Sequence, residues 1–324
     1  MTPDLPGRLR AALEARLEGV SRRDLAARAD KVSRAYRGGA GSAGVVLGAD
    51  DALAYALARL PATYAADMAA FAAAAEACPD FAPRTLLDAG AGPGTASWAA
   101  VETWTSLERA TLLDASPPFL ALARELAAAG EPVLADAGFR RADLTGAEAL
   151  PAAELVVASY ALAEIAPAAQ GALVERLWAA CEGLLVLVEP GTPAGYERIL
   201  AARARLIEAG AGLAGPCPHA QACPLTPPDW CHFVQRLPRS RDHRIAKGAE
   251  APFEDEKFIW IAAARPGVAR TPLAARVLSP PRQAKPGIEL KLCTASGDLE
   301  HRFVPRRDKP AYAVARRLDW GDAL

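Results

Sequence analysis

Thr85-Leu86-Leu87-Asp88-Ala89-Gly90-Ala91-Gly92-Pro93-Gly94-Thr95 is the stretch on which the fold turns. A short apolar run ends in a carboxylate, glycines follow at 90, 92 and 94, and a helix predicted near Thr95 to Leu107 starts directly behind them. Such glycines let the backbone turn sharply and approach a ligand closely at the carboxyl edge of a parallel sheet. A dinucleotide fingerprint asks for another close-packing glycine three positions after Gly92, where Thr95 stands. With Asp88 ahead of the turn and Pro93 inside it, the pattern suits a ligand with an amino-acid moiety. Its ammonium would lie near Asp88 and its carboxylate near the helix N-terminus.

Outward from this turn the chain alternates strands with helices. Strands are predicted at Ala110 to Asp114, Leu155 to Ser159 and Gly183 to Glu189, with a further segment around Pro132 to Ala135. Helices are predicted at Pro118 to Ala129, Ala168 to Ala180 and Gly195 to Ala209. This rhythm is that of a mostly parallel sheet covered on both faces. Asp114 closes the second strand, twenty residues after Gly94, where a carboxylate can accept both ribose hydroxyls of a nucleoside. Asp143, in Arg141-Ala142-Asp143-Leu144, is placed at the adenine edge, and Ser159 closes the fourth strand beside the same site.

Together these features resemble the class I S-adenosylmethionine-dependent methyltransferases. The expected architecture is an α/β, Rossmann-like sheet with added parts. Residues 1–80 form an N-terminal helical region, 81–209 the donor-binding domain, 210–264 a cysteine-rich metal-binding insertion that returns to the sheet, and 265–324 a linker and small C-terminal β hairpin. On the acceptor side, amino-directed enzymes of this class often carry an Asp/Asn-Pro-Pro-aromatic arrangement after the fourth strand. Here Ser159-Tyr160-Ala161-Leu162-Ala163-Glu164 stands instead. Tyr160 is the candidate for stacking on a base, and Glu164 is either a general base or a helix-capping carboxylate.

With 324 residues, 52% of them hydrophobic, the chain can bury a sizeable core. Leu5 to Ala77 is Ala-rich and reads as about four helices, with a break at Pro61. Within it, Ser21 to Tyr36 sets Arg22, Arg23, Arg28, Lys31 and Arg34, with Arg37 just beyond, against Leu25 and Val32: an amphipathic helix with a basic face. The net charge is −1, yet residues 1–40 hold nine Lys/Arg against five Asp/Glu and residues 270–324 hold eleven against six. That asymmetry favours an anionic partner at the ends of the chain, and an ordinary solvated surface is the bland alternative. No apolar run reaches the length of a membrane span and no secretory signal is visible, so a soluble, cytoplasmic monomer is expected.

Gly210 to Pro238 is rich in Pro, Gly, Cys and His with little periodicity, so apolar burial alone does not order it. Cys217, Cys223 and Cys231 fall within it, and Cys293 lies on a predicted hairpin of Ile288 to Cys293 and Leu299 to Val304 turning at Gly297-Asp298. Cys78 and Cys181 read as buried small hydrophobes. Three cysteines with Cys293, His219 or His232 as a fourth ligand admit zinc, although zinc sites favour cysteine pairs two to four residues apart and neither adjacent spacing here fits. Wide, proline-punctuated spacing is tolerable around an iron–sulfur cube, each of whose irons takes one thiolate. Iron–sulfur, zinc and no metal at all stand open on spacing.

Pro-Ala-Thr-Tyr-Ala-Ala at 61–66, Leu87 to Thr95, Cys217-Pro218-His219, Cys223-Pro224-Leu225, Trp230-Cys231-His232-Phe233, Glu254-Asp255-Glu256-Lys257-Phe258 and Leu292-Cys293-Thr294 carry a closer resemblance. They look like the methyltransferase-like family associated with the mitochondrial small ribosomal subunit, which also has bacterial members. That resemblance implies a [4Fe-4S] cluster on Cys217, Cys223, Cys231 and Cys293, and association with small-subunit rRNA or the assembling subunit. It leaves open whether the methyl group is transferred or whether the chain is a non-catalytic assembly factor.

Two further basic runs fit an RNA partner. Arg236, Arg239, Arg241, Arg244 and Lys247 follow Cys231, while Lys291, Arg302, Arg306, Arg307 and Lys309 surround Phe303 as a stacking group. A flexible solvated charge run is the alternative for the first. An enzyme acting on a protein or small molecule would require neither run.

Overall fold

The computed structural model describes residues 4–37, 41–42 and 44–324, with the side chains of Tyr36 and Arg37 outside the description. In chain order the helices are α1 (Gly7–Leu17), α2 (Arg22–Arg37), α3 (Ala49–Ala77), α4 (Thr95–Thr103), α5 (Pro117–Ala127), α6 (Pro132–Ala135), α7 (Pro167–Ala180), α8 (Pro193–Glu208), α9 (Arg241–Lys247) and α10 (Lys309–Ala315). The strands are β1 (Thr85–Ala89), β2 (Arg109–Asp114), β3 (Gly138–Arg141), β4 (Ala153–Ser159), β5 (Cys181–Pro190), β6 (Gly212–Gly215), β7 (Phe233–Pro238), β8 (Phe253–Ala264), β9 (Ala275–Val277), β10 (Arg282–Gln283), β11 (Gly287–Thr294) and β12 (Leu299–Pro305).

Eight strands build the main sheet in the order β3-β2-β1-β4-β5-β8-β6, with β7 also paired to β8. The first five run parallel, and β8 enters antiparallel to β5. Leu155 to Ala158 of β4 and Leu184 to Val188 of β5 are buried throughout, as strands covered by helices on both faces must be. The strand order reverses between β1 and β4, which opens the crevice at their carboxyl ends where such sheets bind ligands. This is the Rossmann-like α/β arrangement of class I methyltransferases, with helices added at the N-terminus and a small sheet at the C-terminus.

Where the expected helix breaks at Pro61, α3 instead continues for 29 residues. The proline lacks the N–H that would reach back to the preceding turn and costs about 3 kcal/mol in an isolated helix. Burial of α3 against α2, α4 and the sheet offsets that loss. The helices therefore number three up to Ala77 among the described residues, and the segment at Pro132 to Ala135 is a short helix.

Gly210 to Pro238 is also more regular than its composition suggests. Both β6 and β7 pair with β8, at Gly215↔Ala262 and Phe233↔Phe258, so residues 216–232 loop out of an interrupted edge strand. Residues 265–286 are likewise more than a linker. They supply β9 and β10 to a second sheet in the order β10-β11-β12, with β9 paired to β11. Its small core is Val277, Ile288, Leu290, Leu292 and Val304 closed by Ala315 of α10.

Phe71 of α3 is fully buried against Trp104, ring centroids 5.4 Å apart. Phe71→Ala is expected to cost about 3–5 kcal/mol, through lost transfer energy and a partly unrelaxed cavity, read as a lower urea midpoint. Leu47→Ala, at a position 69% exposed, should change stability by less than about 0.5 kcal/mol.

Candidate functional site

The glycine turn is held from two sides. The N–H groups of Gly90 and Ala91 donate to the Leu113 carbonyl at 2.8 and 2.9 Å, anchoring the turn to the end of β2. Asp114 then accepts from the Gly92 N–H at 2.8 Å through one oxygen and from the Ser116 N–H at 2.7 Å through the other. Gly90, Gly92 and Gly94 have φ of +80°, +54° and +84°, a region in which any side chain is strained. A Cβ at Gly90 would lie 2.8 Å from that of Ala161, so this glycine also permits the close approach of the loop after β4.

Asp88 is buried beneath the turn, where its Oδ2 accepts from the Ser97 hydroxyl at 2.7 Å and the Ser97 N–H at 3.1 Å. Its Oδ1 has no hydrogen-bond partner among the described residues. Burial, opposed by the two Ser97 bonds, raises its pKa to about 7. Asp88, the three glycines and Asp114 thus gather around one turn. Asp143 comes next: the preceding Ala142 donates its N–H to the Asp114 carbonyl at 3.0 Å, while the exposed Asp143 carboxylate accepts from the N–H and hydroxyl of Thr145.

The opposite wall comes from the ends of β4 and β5 and from α3. Ser159 donates to Asp67 Oδ1 of α3 at 2.6 Å. Tyr160 follows at φ +57°, an uncommon conformation for a non-glycine residue, worth of the order of 1–3 kcal/mol of strain. Its hydroxyl donates to Glu256 Oε1 of β8 at 2.8 Å, and Arg59 of α3 donates to the same oxygen at 3.0 Å. Glu164 accepts from the N–H and hydroxyl of Ser42, tying the segment ahead of α3 to this wall. Glu189, at the end of β5 and fully buried, pairs with Arg198 at 2.6 Å, yet burial raises its pKa to about 7. Tyr160, Arg59, Arg198 and Arg239 line an open cleft of about 930 Å³.

Asp67, Arg59, Glu256 and Glu189 were missed by the sequence reading. For the α3 pair a signal was present. Tyr55, Arg59, Thr63 and Asp67 recur every four residues in an otherwise Ala-rich helix, one polar stripe on one face. Glu256 and Glu189 lie in strands whose neighbours are apolar or charged in no telling pattern.

At the far side of β8, Cys217, Cys223, Cys231 and Cys293 line one cavity with Leu225 and Trp260. The loop is fixed by buried arginines bonded to its carbonyls. Arg203 of α8 donates to His219 and Gln221, both at 2.7 Å, and Arg276 of β9 donates to Pro216 at 3.0 Å. His219 Nε2 lies 3.3 Å from Cys293 Sγ, and the Tyr196 hydroxyl lies 3.2 Å from Cys223 Sγ. His232 stacks on Trp230 and meets Trp320 edge-on, while Lys291 of β11 pairs with Asp229. Burial raises the Cys217 thiol, and raises Cys293 to about 12, with the neighbouring cysteines adding to both shifts. Among the described residues, no three His, Cys, Asp or Glu side chains converge on a point that would hold a single metal ion.

The basic runs are less available than their sequence suggests. Arg236 pairs with Asp255 at 2.7 Å, Arg239 with Glu254 at 3.1 Å and Lys247 with Glu254, while Arg22 of the N-terminal basic helix pairs with Asp242 at 3.1 Å. Lys291 and Arg302 are also paired, with Asp229 and Glu300. Arg241, Arg306, Arg307 and Lys309 are exposed, as is half of Phe303. Acids of β8 occupy the run after Cys231, whereas Arg22, Lys291 and Arg302 are met by acids of α9, the cysteine loop and β12.

Residues 49–324 match the family model described as the mitochondrial small ribosomal subunit Rsm22. The chain is 29% identical over 294 residues to the human ribosome assembly protein METTL17, mitochondrial, covering 84% of this chain and 62% of the relative. It is 28% identical over 184 residues to the fission-yeast (Schizosaccharomyces pombe) Rsm22-cox11 tandem protein 2, mitochondrial, covering 43% of this chain and 24% of that one. The chain thus spans less than two thirds of the length of either relative. Among solved structures, magnesium protoporphyrin IX methyltransferase of Synechocystis PCC 6803 is similar over 56% of this chain and 69% of its own, at 16% identity and a TM-score of 0.36. Precorrin-6y C5,15-methyltransferase of Geobacter metallireducens is similar over 56% and 79%, also at 16% identity and 0.36.

The cytoplasmic placement is overturned, because the family and both relatives are described as mitochondrial. Charge and hydropathy patterns do not report a compartment of this kind. No helix among the described residues is long and apolar enough to cross a membrane.

The raised pKa of Asp88 has a definite sign for stability. Between about pH 4 and 7 the folded chain keeps a proton that the unfolded chain has released, so its contribution to stability falls as pH rises through that window. Asp88→Asn should raise the thermal midpoint of the ligand-free protein near pH 8, with the gain vanishing toward about pH 4. Asp67 and Glu189 titrate in the same direction, so the difference between wild type and variant is the quantity to measure.

Proposed function

From the premise that this chain belongs to the family of the mitochondrial small ribosomal subunit Rsm22, we propose that it is an assembly factor for the small ribosomal subunit, one that holds S-adenosylmethionine and rRNA without transferring the methyl group. The donor would occupy the turn of Asp88, Gly90, Gly92 and Gly94, with Asp114 toward its ribose, Asp143 toward its adenine and Ser159 at the facing wall. The observation that carries the non-catalytic reading is the engagement of Tyr160. Methyl transfer needs an acceptor held in line with the sulfonium at the end of β4. There the Tyr160 hydroxyl is bound to Glu256, which also pairs with Arg59. Glu164 is drawn to Ser42, so neither candidate catalytic side chain is poised over an acceptor.

An rRNA methyltransferase is the second reading, favoured by the complete glycine turn and the open cleft beside Tyr160. Exposed Arg306, Arg307 and Lys309 beside Phe303 supply phosphate contacts and a stacking face for RNA in either case.

Cys217, Cys223, Cys231 and Cys293 are proposed to hold a [4Fe-4S] cluster, with zinc as the competing occupant. The donor set fits the larger group: four thiols line one cavity without converging on a single-ion point among the described residues, and each iron of a cube takes its own thiolate. Arg203 and Arg276 set two positive charges beside these sulfurs. When bound, such a cluster supplies metal–thiolate bonds that tie residues 216–232 to β11.

Incubation with labelled methyl donor and small-subunit rRNA should give donor binding that Asp88→Ala weakens, and no labelled RNA. Label transferred to rRNA by wild type, and lost with Asp88→Ala, would establish the enzyme instead. Anaerobically purified protein should be brown with about four irons per chain. Cys217→Ser should abolish both signals, and a colourless protein with one zinc would replace the iron–sulfur assignment.

A further inference from the structure

Two buried carboxyl groups stand at the crevice where the strand order reverses, and each has an oxygen left over. Asp88, 1% exposed, uses Oδ2 for Ser97 and leaves Oδ1 unpartnered among the described residues. Asp67, 0% exposed, uses Oδ1 for Ser159 and leaves Oδ2 in the same condition.

The sheet brings these two groups together. Asp88 is paired with Val157 on β4, and Ser159 lies two residues further along that strand. Residues two apart on a strand share a face, so Ser159 and Asp88 project toward the same side of the sheet, with α carbons about 8 Å apart by standard strand spacing. The Ser159 hydroxyl holds Asp67 on that side. Both are buried, and after burial itself the charge of Asp88 is among the influences that raise the Asp67 carboxyl. Arg59, the basic member of the α3 stripe, is committed to Glu256. A buried acidic pair of this kind is relieved by a proton or by a cation that donates to both oxygens. A primary ammonium, with three donors on one small charge, has the form to bridge them.

We infer that Asp67 is a donor-binding residue contributed by the N-terminal helical region, and that it holds, together with Asp88, the α-ammonium of an adenosine ligand bearing an amino acid. This rests on the donor-binding reading above and extends it to a residue outside the sheet. Asp67 thereby sets specificity for the amino-acid half of the ligand and leaves the adenosine half to the glycine turn and Asp114.

The test uses the full chain and two probes in titration calorimetry. S-adenosylhomocysteine carries the ammonium, and methylthioadenosine has the same nucleoside without the amino acid. Asp67→Asn, which preserves shape and removes charge, should weaken S-adenosylhomocysteine at least tenfold and leave methylthioadenosine within twofold. Ser159→Ala, which frees Asp67 without altering its charge, should weaken S-adenosylhomocysteine by a smaller factor with the same selectivity. Retained methylthioadenosine binding shows that each variant keeps its pocket. If wild type binds both probes, but Asp67→Asn binds S-adenosylhomocysteine normally or loses both probes alike, the role of Asp67 is overturned and the donor reading stands. If wild type binds neither probe, the donor reading falls and takes this inference with it.

Discussion

Strand β8 is hydrogen-bonded along both edges, and the rest of the molecule depends on that double pairing. On one edge it completes the sheet against β5, and on the other it receives β6 and then β7. Its C-terminal half, Phe258 to Ala264, is buried, as a strand enclosed on all sides must be. Its N-terminal half is acidic, and there Glu254 gathers Arg239 and Lys247 while Glu256 gathers Arg59 and Tyr160. The cysteine loop leaves the sheet beside Ile259, Trp260 and Ile261, between the two strands that share this edge. One strand therefore positions both the cleft beside the glycine turn and the sulfur-lined cavity behind it.

The two sites are ordered by different physics. Around the glycine turn, backbone N–H groups and carboxylates are matched one to one, and the exceptions, Asp67 and Asp88, are concentrated at the crevice. Around the cysteines, the loop is held by Arg203 and Arg276, which satisfy carbonyls that a helix or strand would otherwise pair. Burying a guanidinium is costly unless its donors are met; backbone oxygens accept two bonds from Arg203 and two from Arg276, and Arg203 Nε has no partner among the described residues. The C-terminal sheet contributes Arg276, Cys293 and Lys291 to the same place, and Leu278 and Leu299 pack with the loop's Leu225 beside them, so it is joined to this loop by polar and apolar contacts together.

How much of this was legible depends on the range over which each feature is encoded. The turn after β1, the apolar strands β4 and β5 and the hairpin bearing Cys293 are local patterns, and they read directly. Cys293 stood beside His219 and His232 as a candidate fourth ligand, and only the resemblance selected it, because nothing local links positions 231 and 293. Pro61 misled because a local rule about helix interiors was outweighed by burial of the whole of α3. The basic run after Cys231 misled for the converse reason: its acids arrive from β8 across the sheet, and only pairing reveals that Arg236 faces Asp255. Asp67 was hidden in plain view, since a four-residue polar period in an alanine helix marks a face without saying what faces it.

The interruption of the edge beyond β8 also bears on how these molecules behave in a crowd. A long, flat, unbroken outer strand offers a row of unmet backbone donors and acceptors to any neighbour, and thus a template for runaway strand addition. Here the outer edge is two short pieces, β6 and β7, separated by a proline-rich excursion and ending in Pro238, which has no N–H to offer. The loop that assembles the sulfur cavity therefore also blunts the sheet against self-association.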